Sequence, residues 1–177
     1  MPLQTLHDLY VEELRELVSA EDQLVKALPQ LAKAASAPEL RTAFARHAAE
    51  TEGHTERLGL ILGALDIKTT SIKCKAMAGL IAEAKDLMKM DAHPAVLDLA
   101  LIGAALRIEH YEIAAYECAR TYARRLGHKD AVHLLAQTLE EEEEEEERLG
   151  LMADAVILVE AAAATKAAKT KGRQAKK

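Results

Sequence analysis

The sequence predicts an all-α protein, a bundle of four long helices with one shorter helix between the second and the third. Alanine, leucine, glutamate and lysine dominate the 177 residues, which include only eight glycines and four prolines. Such a composition favours helices. Apolar residues recur at alternating spacings of three and four, which is the period of one helix face. No run of alternating β-branched residues indicates a sheet.

The first half of the chain predicts two long helices and the short one. The first is expected over residues 3–35, and Ser36-Ala37-Pro38 interrupts it. Pro38 suits the first position of a second helix, which ends near residue 65. Residues 66–71 form a loop, and an amphipathic helix follows over residues 74–90. The apolar stripe of the first helix consists of Tyr10, Leu14, Leu17, Leu24, Leu28 and Leu31.

The second half predicts two more long helices. Asp91-Ala92-His93-Pro94 is a helix-start signal, and the third long helix ends at Leu126, where Gly127 supplies a common C-terminal residue. The fourth begins near Lys129 and continues to about residue 164. We therefore expect one domain over residues 1–164 and a disordered basic tail over residues 165–177. The long connection between the second and third helices gives a ferritin-like four-helix bundle.

An internal repeat supports this helix order. The segment ERLGL occurs at residues 56–60 and again at residues 147–151, separated by 91 positions. The same offset places Glu21 on Glu112 and Glu50 on Glu141. The first pair of long helices thus resembles the second pair.

The charge pattern limits the partners of the protein. The net charge is −6, yet the last twelve residues carry six basic groups, so the body is strongly acidic. We expect binding to nucleic acid only through that tail. No segment predicts a membrane span or a signal peptide, and the two cysteines make no disulfide framework, so a cytoplasmic location is expected.

Acidic residues interrupt the inner stripe of the first three long helices. Glu21 lies among the leucines of the first helix, and Glu109 with Glu112 lies in the third. In the second helix Glu50 is one turn from His54. We expect His47, on the same stripe, to be a hydrogen-bonded core histidine. His110, off the stripe, is expected either at the surface or behind the ligands.

The fourth helix contains eight consecutive glutamates, residues 140–147. Most of them must face solvent. The apolar stripe favours Glu142 and Glu146 as the inward residues, whereas the repeat favours Glu141 and Glu145. We follow the stripe, because packing is the physical constraint.

Several buried carboxylates repel one another unless positive charge offsets them. Oxygen ligands with one or two imidazoles suit iron or manganese. The sequence therefore predicts a pair of iron ions, or manganese ions in their place, with Glu50 and Glu142 as bridges. The spacing Glu-x-x-x-His at Glu50 differs from the known Glu-x-x-His pattern, so His54 is either a ligand or a core histidine. The predicted metal site consists of Glu21, Glu50, His54, Glu109, Glu112, Glu142 and Glu146.

Several segments resemble the YciE/YciF stress-protein family of ferritin-like domains, over residues 3–159. The segments are SAEDQLVKALPQLAKAA, HAAETEGHTERL, KCKAMAGLIAEA, IEHYEIAAYE and QTLEEE. The resemblance implies a rubrerythrin-like bundle, a homodimer, a di-iron centre and a role in bacterial stress responses. It points to Glu21, Glu50, Glu109, Glu112 and Glu142 as site residues. The family often has Gln where this chain has His54 and Asp where it has Glu146, and imidazole is the better metal ligand.

Two functions remain open from the sequence. The first is a metalloprotein that reacts with O₂ or peroxide or oxidises Fe²⁺. The alternative is a non-catalytic, stress-linked helical bundle that acts through partners, with the basic tail as a tether to DNA. Metal content distinguishes the two.

Overall fold

The computed structural model describes residues 3–68, 72–154 and 162. The elements are α1 (Leu6–Ala34), α2 (Pro38–Ala64), α3 (Lys75–Leu87), α4 (Pro94–Leu126) and α5 (Lys129–Met152). Helices α1 and α5 each pack against both α2 and α4, while α3 covers α1 and α4. This is the predicted ferritin-like four-helix bundle, with α3 in the long crossover.

The helices begin and end at the signals that the sequence carries. Thr5 caps α1: its hydroxyl accepts from the Asp8 amide at 3.1 Å, and the Asp8 carboxylate accepts from the Thr5 amide at 2.9 Å. Pro38 and Pro94 occupy the first positions of α2 and α4. Gly127 ends α4 with φ 82°, in the left-handed region that glycine adopts without strain.

A buried aspartate fixes the turn between α1 and α2. Asp98 of α4 accepts hydrogen bonds from the Ser36 amide at 2.8 Å and the Ala37 amide at 2.9 Å. Ala37, which precedes α2, has no side-chain group to cap that helix. Asp98 therefore holds the two amides of the turn that precedes α2 and joins the two halves of the bundle.

Polar contacts attach the crossover to α1. The Cys74 amide donates to Ser19 Oγ at 2.9 Å, and Gln23 Nε2 donates to the Cys74 carbonyl at 3.1 Å. The Cys74 thiol lies 3.0 Å from the hydroxyl of Tyr111 on α4. These contacts fix the start of α3 against the bundle.

Two apolar cores fill the bundle. The first core lies beside α3 and the α1–α2 turn and includes Leu24, Leu28, Phe44, Met77, Leu101 and Ile108. The second core lies toward the α4–α5 turn and includes Leu14, Leu17, Leu58, Ile61, Tyr116, Leu135 and Leu139. Along each long helix, the inward acidic and histidine residues fall between the residues of these two cores.

The helix bounds agree with the predicted segments to within a few residues, except at the end of α5. That helix was expected to reach residue 164, and it is described to Met152. Residues 155–161 and 163–164 of the expected helix, together with the basic tail, lie outside the described residues. Within the described part of the chain, no helix is both long enough and apolar enough to cross a membrane.

Candidate metal centre

Acidic and histidine side chains from all four long helices lie at the level between the two cores. Each is at most 2% exposed. Carboxylates almost never occupy such positions without a partner or a metal ion. The residues are Glu21, His47, His54, Glu109, Glu112, Glu142 and Glu145.

The first ligand group joins α1, α2 and α5. His54 Nδ1 lies 3.0 Å from Glu142 Oε1 and 3.5 Å from Glu21 Oε1. The Tyr116 hydroxyl donates a hydrogen bond to Glu21 Oε1, which leaves Glu21 Oε2 without a partner among the described residues. One atom from each of Glu21, His54 and Glu142 lies within 4.8 Å of the others, so that one ion could contact all three.

The second ligand group joins α2, α4 and α5. His47 Nε2 lies 3.5 Å from Glu109 Oε1 and 4.0 Å from Glu142 Oε2. Glu112 completes the group, and neither of its carboxylate oxygens has a hydrogen-bond partner in the described structure. Glu142 belongs to both groups, so it is the side chain best placed to bridge two ions.

A third group lies at the edge of the site. His47, Glu50 and Glu145 approach within the same 4.8 Å limit, but two arginines already neutralise the carboxylates. Arg46 contacts Glu145 Oε2 at 2.6 Å and Glu50 Oε1 at 3.3 Å. Arg148 also pairs with Glu145 Oε2. In this arrangement, the guanidinium groups supply the positive charge that a third ion would otherwise supply.

The outer nitrogen of His54 is held by a polar network. His54 Nε2 lies 3.0 Å from Glu141 Oε2, and Arg57 binds both oxygens of Glu141 at 2.7 Å. Arg57 also donates to the hydroxyl of Thr138 at 2.8 Å. A carboxylate on one ring nitrogen fixes the orientation and the tautomer of a histidine. Glu141 and Arg57 thereby keep Nδ1 of His54 directed at Glu21 and Glu142.

The electrostatics of the site are strongly perturbed. Burial, together with the nearby Glu142, raises the pKa of Glu109 well above its usual value. Burial and the charge of Glu21 do the same to the pKa of Glu112. Burial opposes charge on His54, yet Glu142 and Glu21 raise its pKa to about 10. Burial also opposes charge on Glu142, but His54 and His47 lower its pKa. Without cations, the cluster therefore retains protons at neutral pH.

These residues fit a pair of divalent cations. Oxygens of Glu21, Glu109, Glu112 and Glu142 lack hydrogen-bond partners within the described residues, as do both ring nitrogens of His47. Unpartnered buried carboxylates are costly. The first and second groups contain four carboxylates, whose summed charge matches two divalent ions. Oxygen donors with imidazole are the ligands that iron and manganese bind.

The structure brings five of the seven predicted site residues together inside the bundle: Glu21, His54, Glu109, Glu112 and Glu142. Glu50 stands at the edge, with its side chain 29% exposed and paired with Arg46. The prediction that Glu146 faces the axis was wrong, because its side chain is 37% exposed and lies 3.8 Å from that of His110. Glu145, one residue earlier, is the buried one.

The sequence contained a signal for Glu145. The buried residues of α5 include Ala131, Leu135, Thr138, Glu142, Glu145 and Leu149, with spacings that alternate between four and three. The predicted stripe ran through Leu139, Glu142 and Glu146, with spacings of three and then four. The observed stripe runs through Thr138, Glu142 and Glu145, with spacings of four and then three, so the two differ by one residue at Glu146. The internal repeat aligns Glu145 with the buried His54 and identifies the correct residue there.

His47 was expected to be a hydrogen-bonded core histidine. It is buried, but neither ring nitrogen has a hydrogen-bond partner in the part of the chain that the structure describes, and the ring lies among Glu50, Glu109 and Glu142. His110, with its side chain 66% exposed, is at the surface as predicted. His47 is thus an additional candidate ligand.

Comparisons with known proteins agree with the fold and the resemblance. A family model described as a domain of unknown function, DUF892, matches residues 5–162. Protein YciF of Escherichia coli (strain K12) is 42% identical over 142 residues, which cover 80% of this chain and 86% of that protein.

Solved structures give the same result. The crystal structure of the E. coli stress protein YciF superposes with a TM-score of 0.83 at 40% identity, covering 85% of this chain and 96% of that one. YcfI, "a putative structural protein" from Rhodopseudomonas palustris, superposes with a TM-score of 0.80 at 36% identity, covering 84% of this chain and 94% of that one. The chain therefore belongs to the DUF892 family and is a YciF-like ferritin-fold protein.

Proposed function

We propose that this protein is a stress-response metalloprotein that holds two iron or manganese ions between its four long helices and reacts with O₂ or peroxide or oxidises Fe²⁺. The observation that carries the proposal is the pair of buried ligand groups that share Glu142. The stress role is supported by the description of E. coli YciF as a stress protein.

Each ion would have its own set of ligands. Glu21 and His54 would hold one ion, and His47, Glu109 and Glu112 would hold the other, with Glu142 common to both. A bound iron pair supplies the one-electron steps that reduction of O₂ or peroxide, or oxidation of Fe²⁺, requires.

The surrounding residues prepare the site for such chemistry. The two apolar cores keep bulk water from both sides of the ligand groups. Tyr116 holds Glu21 through a hydrogen bond, and Arg57 holds Glu141 against His54. Glu50 is the partly exposed carboxylate of the site, and it connects the buried groups with solvent through His47.

Metal stoichiometry tests the proposal. Metal-free protein titrated with Fe²⁺ under anaerobic conditions should bind about two ions per chain, the number typical of carboxylate-bridged bundle sites. Glu142→Gln removes the shared carboxylate and should reduce binding to about one ion or fewer, because both groups lose a charged ligand. Glu146→Gln is the matched control in the same glutamate run and should bind like the unmodified protein.

Activity is tested separately on the same variants. The Fe²⁺-loaded protein should consume O₂ or peroxide, and Glu142→Gln should lose most of this consumption while Glu146→Gln retains it. Binding of the ions without any consumption would leave a metal site but contradict the redox function.

The second candidate function is a non-catalytic, stress-linked bundle that acts through partners. The description of the Rhodopseudomonas neighbour as a structural protein favours it. The homodimer, and DNA binding through residues 165–177, belong to this candidate as proposals. If the metal-free chain binds no Fe²⁺, and removal of residues 165–177 abolishes salt-dependent DNA binding, this candidate replaces the first.

A further inference from the structure

The two ligand groups of the metal centre are closed to solvent, so an ion needs a route to reach them. Each of their side chains is at most 2% exposed. Among the described residues, two partly exposed carboxylates contact the histidines of these groups. Glu50, with its side chain 29% exposed, contacts His47, and Glu141, 28% exposed, contacts His54. These two carboxylates mark the two candidate entrances.

The Glu141 entrance is the more firmly closed of the two. Arg57 binds both oxygens of Glu141 at 2.7 Å, and its side chain is only 17% exposed. The arginines that cover the Glu50 side are more exposed, Arg46 at 38% and Arg148 at 34%. A partly exposed guanidinium exchanges its carboxylate for water at less cost than a buried one. The Glu50 side should therefore open more readily.

A set of ligand atoms lies behind these arginines. It is the third group, which consists of His47, Glu50 and Glu145. Glu145 and His47 are buried, and Glu145 Oε1 and His47 Nδ1 have no hydrogen-bond partner in the described part of the chain. His47 Nδ1 lies 3.8 Å from Glu50 Oε2, while Nε2 lies 3.5 Å from Glu109 Oε1. The imidazole of His47 thus connects the third group with the second ligand group.

The two arginines have room to move away from Glu145. Both line a surface cavity of about 380 Å³ between the start of α2 and the end of α5. Exposed Glu39 lines the same cavity and offers a displaced guanidinium another carboxylate. The remaining walls are formed by Pro38, Thr42, Ala43 and Met152.

We propose that the third group is a transient cation site through which divalent ions reach the metal centre, with Arg46 and Arg148 as its gate. In the metal-free protein the two guanidinium groups neutralise Glu50 and Glu145. An incoming divalent ion replaces the guanidinium groups and is held by Glu50, Glu145 and His47. It then passes to the second ligand group, which shares His47, and the arginines return to the carboxylates. This inference rests on the proposed function, because the route needs the metal centre as its destination.

The rate of Mn²⁺ uptake tests the route. Mn²⁺ is mixed with the metal-free full-length protein, and rapid freezing follows the loss of the EPR signal of the free ion. Glu50→Gln should slow uptake by roughly 10-fold, the lower end of the range for electrostatic steering, without changing the final number of bound ions. Arg46→Gln opens the gate and should speed uptake. Glu141→Gln is the matched control, since Glu141 is almost equally exposed, and it should leave the uptake rate unaltered.

The number of bound ions tests the transient site itself. Arg46→Gln/Arg148→Gln leaves Glu145 buried without its cations, so dialysis at saturating Mn²⁺ should find about one ion more per chain than in the unmodified protein. Adding Glu145→Gln to this variant should remove the extra ion. A thermal unfolding curve checks that each variant is folded, and the uptake rate of Glu50→Gln tests the proposal without removing either arginine.

The possible results separate the route from the metal centre. If the unmodified protein binds no Mn²⁺, the proposed function fails and the route fails with it. If the unmodified protein binds Mn²⁺ and Glu50→Gln takes it up equally fast, or if Glu141→Gln is the slower variant, the route through Glu50 is wrong while the metal centre stands. A folded Arg46→Gln/Arg148→Gln variant without an additional ion would refute the transient cation site.

Discussion

Glu142 presents its two carboxylate oxygens to two different histidines. Oε1 lies 3.0 Å from His54 Nδ1 on one side, and Oε2 lies 4.0 Å from His47 Nε2 on the other. No other residue belongs to both the first and the second ligand group among the described residues. Its position explains why one substitution should affect both ions, whereas loss of Glu21 or Glu109 should affect mainly one.

Arg57 acts on the metal centre only through Glu141 and His54. Arg57→Gln removes the double hydrogen bond to Glu141, so the carboxylate that fixes the orientation of His54 loses its anchor. Loss of such a partner typically weakens metal binding by about 10–100-fold. We expect a Mn²⁺ affinity lower by this factor in calorimetric titrations.

The control for Arg57 is Arg125→Gln, since Arg125 is exposed on α4. It changes the net charge equally and should leave the Mn²⁺ affinity unaltered. An Arg57→Gln variant that binds Mn²⁺ as tightly as the unmodified protein would show that Glu141 positions His54 without help from Arg57.

At the scale of single residues, the sequence predicted burial well where apolar neighbours mark the helix face. Glu21 lies between Leu17 and Leu24, and all three are buried as expected. Glu50 was expected inside, although it lies one position from the stripe residue Thr51, which is the buried one. Arg46 and Glu50 are i,i+4 neighbours within α2. The sequence could not show that Arg46 also binds Glu145, because that contact depends on how α2 and α5 meet.

At the scale of elements, the connection between α1 and α2 depends on Asp98. Asp98→Ala leaves the Ser36 and Ala37 amides without their acceptor in a partly buried turn. Hydrogen bonds to charged groups contribute about 1.5–3 kcal/mol each, and part of this is recovered from water. We expect the free energy of unfolding to fall by about 2–3 kcal/mol, measured in urea at fixed metal content.

Asp86→Ala is the matched control, because Asp86 is mostly exposed on the last turn of α3. Its effect should stay within about 0.5 kcal/mol, as for most surface substitutions. An Asp98→Ala variant as stable as this control would mean that the α1–α2 turn needs no acceptor from α4.

The sequence predicted the helix ends but not the register of α5 inside the glutamate run. Proline at Pro38 and Pro94 and glycine at Gly127 have conformational preferences that act locally, so they determine ends without tertiary information. From Glu140 to Arg148 no apolar side chain marks the inner face. Only the approximate internal repeat indicated Glu145 there, and packing against α2 and α4 sets the register in the assembled bundle.

At the scale of the whole molecule, the metal-free protein should become less stable as pH rises. The folded state raises the pKa values of Glu109 and Glu112 above 4.5, and that of His54 from 6.5 to about 10. Stability from a raised pKa is fully present below the unfolded value and is lost as pH rises through the folded value. Between those two pKa values, the free energy of unfolding falls as pH rises, by up to about 1.4 kcal/mol per pH unit for each proton that the folded state retains.

Thermal unfolding in the presence of a chelator checks this expectation. The Tm should fall between about pH 6 and pH 9. The lowered pKa of Glu142 changes the stability only below pH 4.5, so it should not affect the Tm over this interval. A Tm that rises over this interval would contradict the assigned protonation. With metal bound, the ions replace the protons, so the decline should be smaller.

Metal should also stabilise the bundle directly. At a free metal concentration about 100 times Kd, binding adds about 2.7 kcal/mol, or roughly 5–10 °C in Tm for a domain of this size. Glu146→Gln should show the same increase and Glu142→Gln little of it. An equal Tm with Mn²⁺ and with chelator would remove this support.

The most direct test of the central claim is an anomalous difference map from crystals grown with Mn²⁺ and measured at the manganese absorption edge. We expect a pair of peaks inside the bundle, both in contact with Glu142, one beside Glu21 and His54 and the other beside His47, Glu109 and Glu112. Peaks confined to the exposed glutamates of α5, or no peak in contact with Glu142, would contradict it.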